Sequence, residues 1–208
     1  MKRYVVFFTL ATLLIILGTP ATYAQSNSKE EETILRLLKE RDKEIKSLLG
    51  NQTSFTEEQR EKLKEVINAN IDFEEMSRLA LGPFWNDLTE AQRKEFVSVF
   101  SEIVRDHSLS NLDIYRAKVL YDSVRVMGDS AVVYTRAIYR DTPSRVYYVL
   151  KKKQNRWVVV DIILDDVSTV GGYARSFQNV IRRKGFDTLM KSLHRKLERI
   201  KQKEKSTG

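Results

Sequence analysis

The sequence predicts an α+β fold: a curved antiparallel four-stranded meander covered by N-terminal and C-terminal helices. Two observations carry this. Apolar residues recur at helical spacing from Ile34 to Val104 and again after Ser168. Between Val119 and Leu164 stand four runs rich in Val, Ile and Tyr, separated by short turn signals. Helical segments grouped at either end of a strand cluster point to segregated layers rather than alternating βα units.

In chain order, Glu32–Leu49 places Ile34, Leu37, Leu38, Ile45, Leu48 and Leu49 at helical spacing, and Gly50-Asn51 ends it. Thr56-Glu57-Glu58-Gln59 has the form of a capping box, in which a hydroxyl and a glutamine satisfy free amides reciprocally. The helix it opens carries Leu63, Val66 and Ile67. Asp72 can cap a short third helix with Phe73, Met76, Leu79 and Ala80 on one side, stopped by Gly82-Pro83. Thr89-Glu90-Ala91-Gln92 is a second capping box. It opens a long helix with Phe96, Val99, Phe100, Ile103 and Val104 inward.

The period then changes. Val119–Met127, Ala131–Arg140, Arg145–Lys153 and Trp157–Leu164 read as strands. Gly128-Asp129, Asp141–Ser144 and Gln154-Asn155 separate them at hairpin length, so an antiparallel meander follows. Ser168–Arg183 returns to helix, and Phe186–Lys201 forms a last one after the break at Gly185.

The first residues, MKRYVVFFTLATLLIILGTPATYAQ, precede the folded part. Lys2 and Arg3 start them, Val5–Leu17 is an apolar run short for a bilayer, Gly18 and Pro20 break it, and Thr22-Tyr23-Ala24 has small residues at the cleavage-determining places. This is the pattern of a secretory signal peptide over residues 1–24, cut after Ala24. Residues 25–32 then form a flexible lead-in, 33–201 the folded domain and 202–208 a polar tail. The chain has no cysteine, which excludes a disulfide scaffold and a lipidated cysteine anchor. Removing 24 of 208 residues leaves 184, enough for one domain with a sizeable core. The charge falls from +8 to +6 on that removal. Much of the excess lies in RRKGFDTLMKSLHRKLERIKQKEK, where Lys191, Arg195, Lys196, Arg199 and Lys203 form either a solvated helix face or an electrostatic guide. An exported chain meets little nucleic acid, so no nucleic-acid partner is expected.

No catalytic constellation emerges. His107 and His194 are the two histidines, and nothing places either beside an activated serine. Ser168 lacks the surroundings of a nucleophile elbow. Gly171-Gly172 leads to Tyr173 rather than to Lys-Ser/Thr, so no phosphate-cradling loop is present. Asp161, Asp165 and Asp166 are the remaining candidates. Strand alternation puts Asp161 and Asp165 on one face and Asp166 on the other, a poor arrangement for a metal. The structural reading is that Asp165 and Asp166 leave the strand and Ser168 caps the next helix. No catalytic residue, no metal ligand and no cofactor is expected.

Large apolar groups occupy both parities of the later strands. Val133, Ala137 and Tyr139 oppose Val132, Tyr134 and Ile138; Val146, Tyr148 and Leu150 oppose Tyr147 and Val149; Val159 and Ile163 oppose Val158, Val160 and Ile162. Counting such residues does not separate a cavity from a packed core.

Specific segments go further. IDFEEMSRLALGPFW (Ile71–Trp85), followed by LTEAQRKEFVSVF (Leu88–Phe100), resembles a D-F-x-x-M stretch, a leucine-glycine turn with a nearby Trp, and a T-x-x-Q-x-x-x-F helix. WVVVDIILDDVSTVGGYARSFQNVIRRKGFDTLMKSL resembles a W-x-V-x-D strand, a V-S corner and a closing helix ending in Gly. These are the motifs of the MlaC-type, or toluene-tolerance, family of periplasmic phospholipid-binding proteins, and the resemblance spans about Ile34–Leu197.

The resemblance implies a soluble, monomeric, non-enzymatic carrier in the periplasm. It holds the acyl tails of a glycerophospholipid in an apolar cavity between sheet and helices. It exchanges that lipid between an inner-membrane ABC-transporter complex with an MCE-domain ring and an outer-membrane lipoprotein–porin complex. An acyl chain in water costs about 0.8 kcal/mol per CH₂, so a dry cavity suffices and no reactive group is needed. The cavity lining expected on this basis is Phe73, Met76, Ala80, Trp85, Phe96, Phe100, Val133, Tyr148, Val160, Ile162, Tyr173 and Phe177. Asp161 anchors the sheet in this reading. The alternatives are a carrier of a hopanoid or another isoprenoid lipid, an enzyme using Asp161 as base, and a solid-cored adaptor docking through its basic tail.

Overall fold

The computed structural model describes the backbone of residues 21–207 and the side chains of residues 28–202. The expected export signal falls mainly outside them. Six helices and five strands follow in order: α1 (Ala21–Leu49), α2 (Glu57–Asn68), α3 (Phe73–Leu81), α4 (Glu90–Leu109), β1 (Lys118–Met127), β2 (Ser130–Tyr139), β3 (Thr142–Lys153), β4 (Arg156–Leu164), β5 (Val167–Ser168), α5 (Thr169–Lys184) and α6 (Phe186–Thr207). Short 3₁₀ turns at Gly82–Trp85 and Leu112–Arg116 close α3 and lead into β1. α1 begins eleven residues ahead of the expected Glu32, so the polar lead-in at 25–32 is helical.

The helix starts form as their side chains dictate. Thr56 Oγ1 accepts from the Gln59 amide at 3.2 Å while Gln59 Oε1 accepts from the Thr56 amide at 2.9 Å. Thr89 and Gln92 repeat the exchange. Asp72 accepts from the Glu75 amide at 3.0 Å, and Ser168 Oγ from the Gly171 amide at 2.7 Å. Each such cap satisfies an amide that the helix itself cannot, contributing about 1 kcal/mol.

The sheet is antiparallel throughout, in the order β1-β2-β3-β4-β5. Two-residue turns link its later strands. Arg140-Asp141, Gln154-Asn155 and Asp165-Asp166 all have positive φ, the conformation that fits the right-handed twist of a hairpin. The second turn of the meander is therefore Arg140-Asp141, and Asp141–Ser144 is its near end plus the start of β3. The two-residue β5 adds a fifth strand to the expected four.

A bulge corrects the sequence reading of β4. Leu150 pairs with Val159 but Val149 pairs with Asp161, leaving Val160 as an extra residue. Parity therefore flips inside Val158–Val160, and Ile162 joins Val159 on one face rather than opposing it. The chain between α2 and α3 uses the same place: the Val159 amide donates to Asn70 O at 2.8 Å, and the Asp72 amide to Val159 O at 2.9 Å. That covers part of an otherwise open strand edge.

One sheet face is covered. Ala131, Val133, Leu150, Trp157 and Val159 pack under Ile34 and Leu38 of α1. The opposite face carries Tyr134 against Tyr147, ring centroids 4.9 Å apart, Arg125 over Tyr134, and Arg136 bonded to Asp122. Beside the sheet, α3, α4, α5 and α6 enclose their own cluster around Phe96 and Phe100, both fully buried. A third cluster joins the end of α1 to α2 and α4 through Ile45, Leu49, Leu63, Val66 and Leu109.

Candidate functional site

The twelve residues expected to line a cavity fall into separate places. Phe73, Met76, Ala80, Trp85, Phe96, Phe100 and Phe177 are buried in the four-helix cluster, with Tyr173 half-buried against it. Their rings touch one another: Phe100 lies 5.5 Å from Phe96, 5.4 Å from Phe177 and 4.8 Å from Tyr173. Val133, Tyr148 and Ile162 lie on the covered sheet face beneath α1. Val160 is 2% exposed at the bulge.

The sheet face beneath α1 has a polar end. Ile34, Leu38, Ile45 and Leu49 form the buried stripe of α1, and Asp42 stands in that stripe four residues after Leu38. Asp42 pairs with Lys46 at 2.8 Å. Burial pushes the Tyr148 phenol up to about 12, and the Asp42 charge adds to the shift. Tyr121 is raised by burial, then by Tyr148 and Asp42; Tyr115 by burial and Tyr148, offset by its hydrogen bond with Ser108. Three phenols and one carboxylate thus share one region between α1, the sheet and the 3₁₀ turn before β1.

Tyr148 is half-buried on the covered face, where it pairs with Val133 of β2. Ile162 pairs with it across the sheet, and Leu164 pairs with Val146 on the same face at the sheet's end. Leu164 is 50% exposed, as is 61% of Val167 opposite it. The covered face therefore ends in an apolar rim that meets water.

A cleft of about 840 Å³ opens at the other end of the sheet, between the start of α1, the 69–73 connection and the β3–β4 hairpin. Leu37, Ile71, Phe73 and Trp157 give it apolar walls, and Phe73 is its one residue from the twelve. Several of its polar groups are paired, while the buried Asn70 Nδ2 has no hydrogen-bond partner. Glu30 accepts from Trp157 Nε1 at 2.6 Å and from Lys152 Nζ at 2.7 Å, and these bonds, Lys152's first, hold its carboxyl below the usual range. Lys153 bonds to Asp72 at 2.9 Å, which raises the lysine. Lys151 pairs with Glu75, which Arg78 grips through two bonds of 2.7 Å. Arg78 first, and Lys151 after it, lower Glu75 to about 2 against the cost of burial. The three consecutive lysines of β3 lash α1 and α3 to the hairpin.

Of the acids weighed for chemistry, Asp161 accepts from Ser168 Oγ and from the Val170 amide. Asp165 accepts from the Arg145 amide at 2.8 Å and Asp166 pairs with the Arg145 guanidinium at 2.5 Å. Among the described residues no group of three or more acids or histidines is placed to hold a metal. His194 pairs with Glu95 at 2.8 Å, and His107 is exposed in the last turn of α4.

The comparisons with known proteins bear on this geometry. The family model described as MlaC protein matches residues 38–195, well over half of the chain. The chain belongs to the MlaC family. Among solved structures, it is similar to the phospholipid-binding protein from Ralstonia solanacearum, whose structure holds a phospholipid. The two are 21% identical with a TM-score of 0.67, over 82% of this chain and 97% of that one. No curated protein matches the sequence. The MlaC match begins inside α1 and ends inside α6, so it takes in the sheet, the covered face with Tyr148, and the four-helix cluster.

Sequence reasoning missed Asp42, Tyr121 and Tyr115. Their signal was an acid standing within the apolar stripe of α1. It also missed Glu30, which sits in the stretch read as a polar lead-in.

Proposed function

We propose that this MlaC-family protein is a non-enzymatic phospholipid carrier of the periplasm. Acyl tails occupy the space beneath α1 bordered by Tyr121, Tyr148 and Ile162, and the headgroup meets water past the rim of Leu164 and Val167. The observation that carries this reading is the fold it shares, over most of its length, with a protein that holds a phospholipid. The physics agrees. Each methylene moved out of water gains about 0.8 kcal/mol, and an internal space lined by aromatic and branched side chains supplies that gain without chemistry. The Tyr121 phenol and Asp42 supply polar groups that orient one end of such a ligand. Val133 belongs to the floor of that space, while Phe100, Tyr173 and Phe177 pack in the separate four-helix core. In the cell the carrier exchanges lipid between an inner-membrane ABC-transporter complex and an outer-membrane complex.

A transfer assay tests it. Donor vesicles hold a fluorescent phospholipid with a quencher, and acceptor vesicles hold neither. The protein speeds dequenching in proportion to its concentration and does not alter the lipid chemically. Transfer at the spontaneous rate, or release of a hydrolysed lipid, contradicts the reading.

A further inference from the structure

The net charge of this protein is confined to its last two helices. From Thr169 to Gly208 the chain carries eleven Lys and Arg against three Asp and Glu, whereas residues 25–168 carry twenty-three against twenty-five. The first segment is thus +8 and the second −2. α5 contains no acid at all.

The fold leaves several of these cations on exposed helix faces. α6 buries Leu189, Met190 and Leu193 against its neighbours. Lys191, Arg195 and Arg199 recur every four residues on its opposite, exposed face. Arg182 and Arg183 are exposed at the end of α5, just before the turn at Gly185. None of these five forms an ion pair among the described residues. The acids nearby are engaged or displaced: Glu95 of α4 faces His194, Glu198 faces Lys201 at 3.9 Å, and Asp187 stands in the first turn of α6.

We propose that the exposed face of α5 and α6 docks on an anionic phospholipid bilayer. The proposal rests on the carrier reading, because a carrier of membrane lipid has to reach a membrane. Two features favour a bilayer over an acidic protein. Stable protein interfaces centre on buried aromatic or aliphatic anchors and are depleted in Lys. The large exposed apolar residues among the described ones are Ile114, Met127, Leu164 and Val167, none of them on α5 or α6. Lys191, Arg195 and Arg199, spread over about 12 Å of exposed helix face, instead form a field of positive charge. A field of that kind matches a planar surface of mobile negative charge, and the slightly acidic remainder of the molecule turns that side toward it.

Flotation of the purified protein with vesicles tests this. The protein associates with phosphatidylcholine–phosphatidylglycerol vesicles and not with phosphatidylcholine alone, and salt releases it as the Debye length falls below about 10 Å. The triple variant Lys191→Gln, Arg195→Gln, Arg199→Gln binds on the order of a hundredfold more weakly, since each exposed cation near such a surface counts separately. A control triple elsewhere, Arg36→Gln, Lys43→Gln, Lys118→Gln, binds as the parent does. Equal binding by parent and first triple, or equal binding to both vesicle types, overturns the proposal. So does a parent that ignores vesicles while needing the same three cations to bind an acidic protein. Mass spectrometry of the lipid carried by each variant separates this from the carrier reading. Retained phospholipid without vesicle binding defeats the docking surface alone, whereas lipid-free protein throughout defeats the carrier and with it the purpose of the surface.

Discussion

Asp161 and Ser168 are joined by a hydrogen bond of 2.5 Å across the β4–β5 turn, from the serine hydroxyl to the carboxylate. The other carboxylate oxygen accepts from the Val170 amide at 3.0 Å, while Ser168 Oγ itself accepts from the Gly171 amide. One acid in the middle of an apolar strand thus fixes the start of α5. A negative charge there also faces the positive end of the helix dipole.

Asp161→Asn therefore weakens the fold rather than a reaction. The amide keeps one acceptor and turns the other toward a donor it cannot satisfy, and about 1–2 kcal/mol of stability is lost. Urea denaturation measures it. An unchanged midpoint contradicts the anchoring role.

Glu75 makes the fold sensitive to acid. Its carboxyl titrates near 2 in the folded protein against an ordinary 4.5. A depressed carboxyl contributes stability that is present above 4.5 and lost as pH falls through about 2. The full shift corresponds to about 3 kcal/mol, and contact with water reduces this to about 1 kcal/mol. Glu75→Gln flattens that part of the stability–pH curve, as measured by thermal melts across the window. An equally steep curve in the variant contradicts the assignment.

Phe100→Ala separates core from cargo space. Phe100 is fully buried and in ring contact with Phe96, Tyr173 and Phe177. Truncating a ring so placed costs about 3–5 kcal/mol. Denaturation of the lipid-stripped variant reads this directly. Stability close to the parent's, with lipid no longer retained, places Phe100 against cargo instead.

Tyr148→Trp tests the proposed tail site beneath α1 by adding bulk to it. The variant keeps its melting temperature within a few degrees and carries at least about tenfold less lipid, while Tyr148→Phe carries it normally, because tail burial follows volume and apolar area. The ratio of extracted lipid to protein checks both. Undiminished lipid in Tyr148→Trp moves the site elsewhere.

Much of this fold is legible in the sequence because its signals are local. Thr56 and Gln59, Thr89 and Gln92, Asp72 and Ser168 each announce a helix start within four residues, and the turn at Gln154-Asn155 announces a hairpin. The bulge at Val160 gives no such signal. Three consecutive valines fit either face of a sheet equally well, so the extra residue shows only once β3 fixes the register. The covered face is equally hidden, since both parities of β2 and β3 are apolar and α1 decides between them from more than ninety residues away. For the same reason the sequence picks out Phe100 and Tyr148 as apolar aromatics alike, although one is packed among rings of the four-helix cluster and the other lies half-buried on the sheet face beneath α1.

Native mass spectrometry of the protein, purified without detergent, tests the central claim most directly. The account predicts a species heavier than the bare chain by one phospholipid, which collisional activation releases intact. A single species at the mass of the bare chain, unchanged after incubation with phospholipid vesicles, would contradict it.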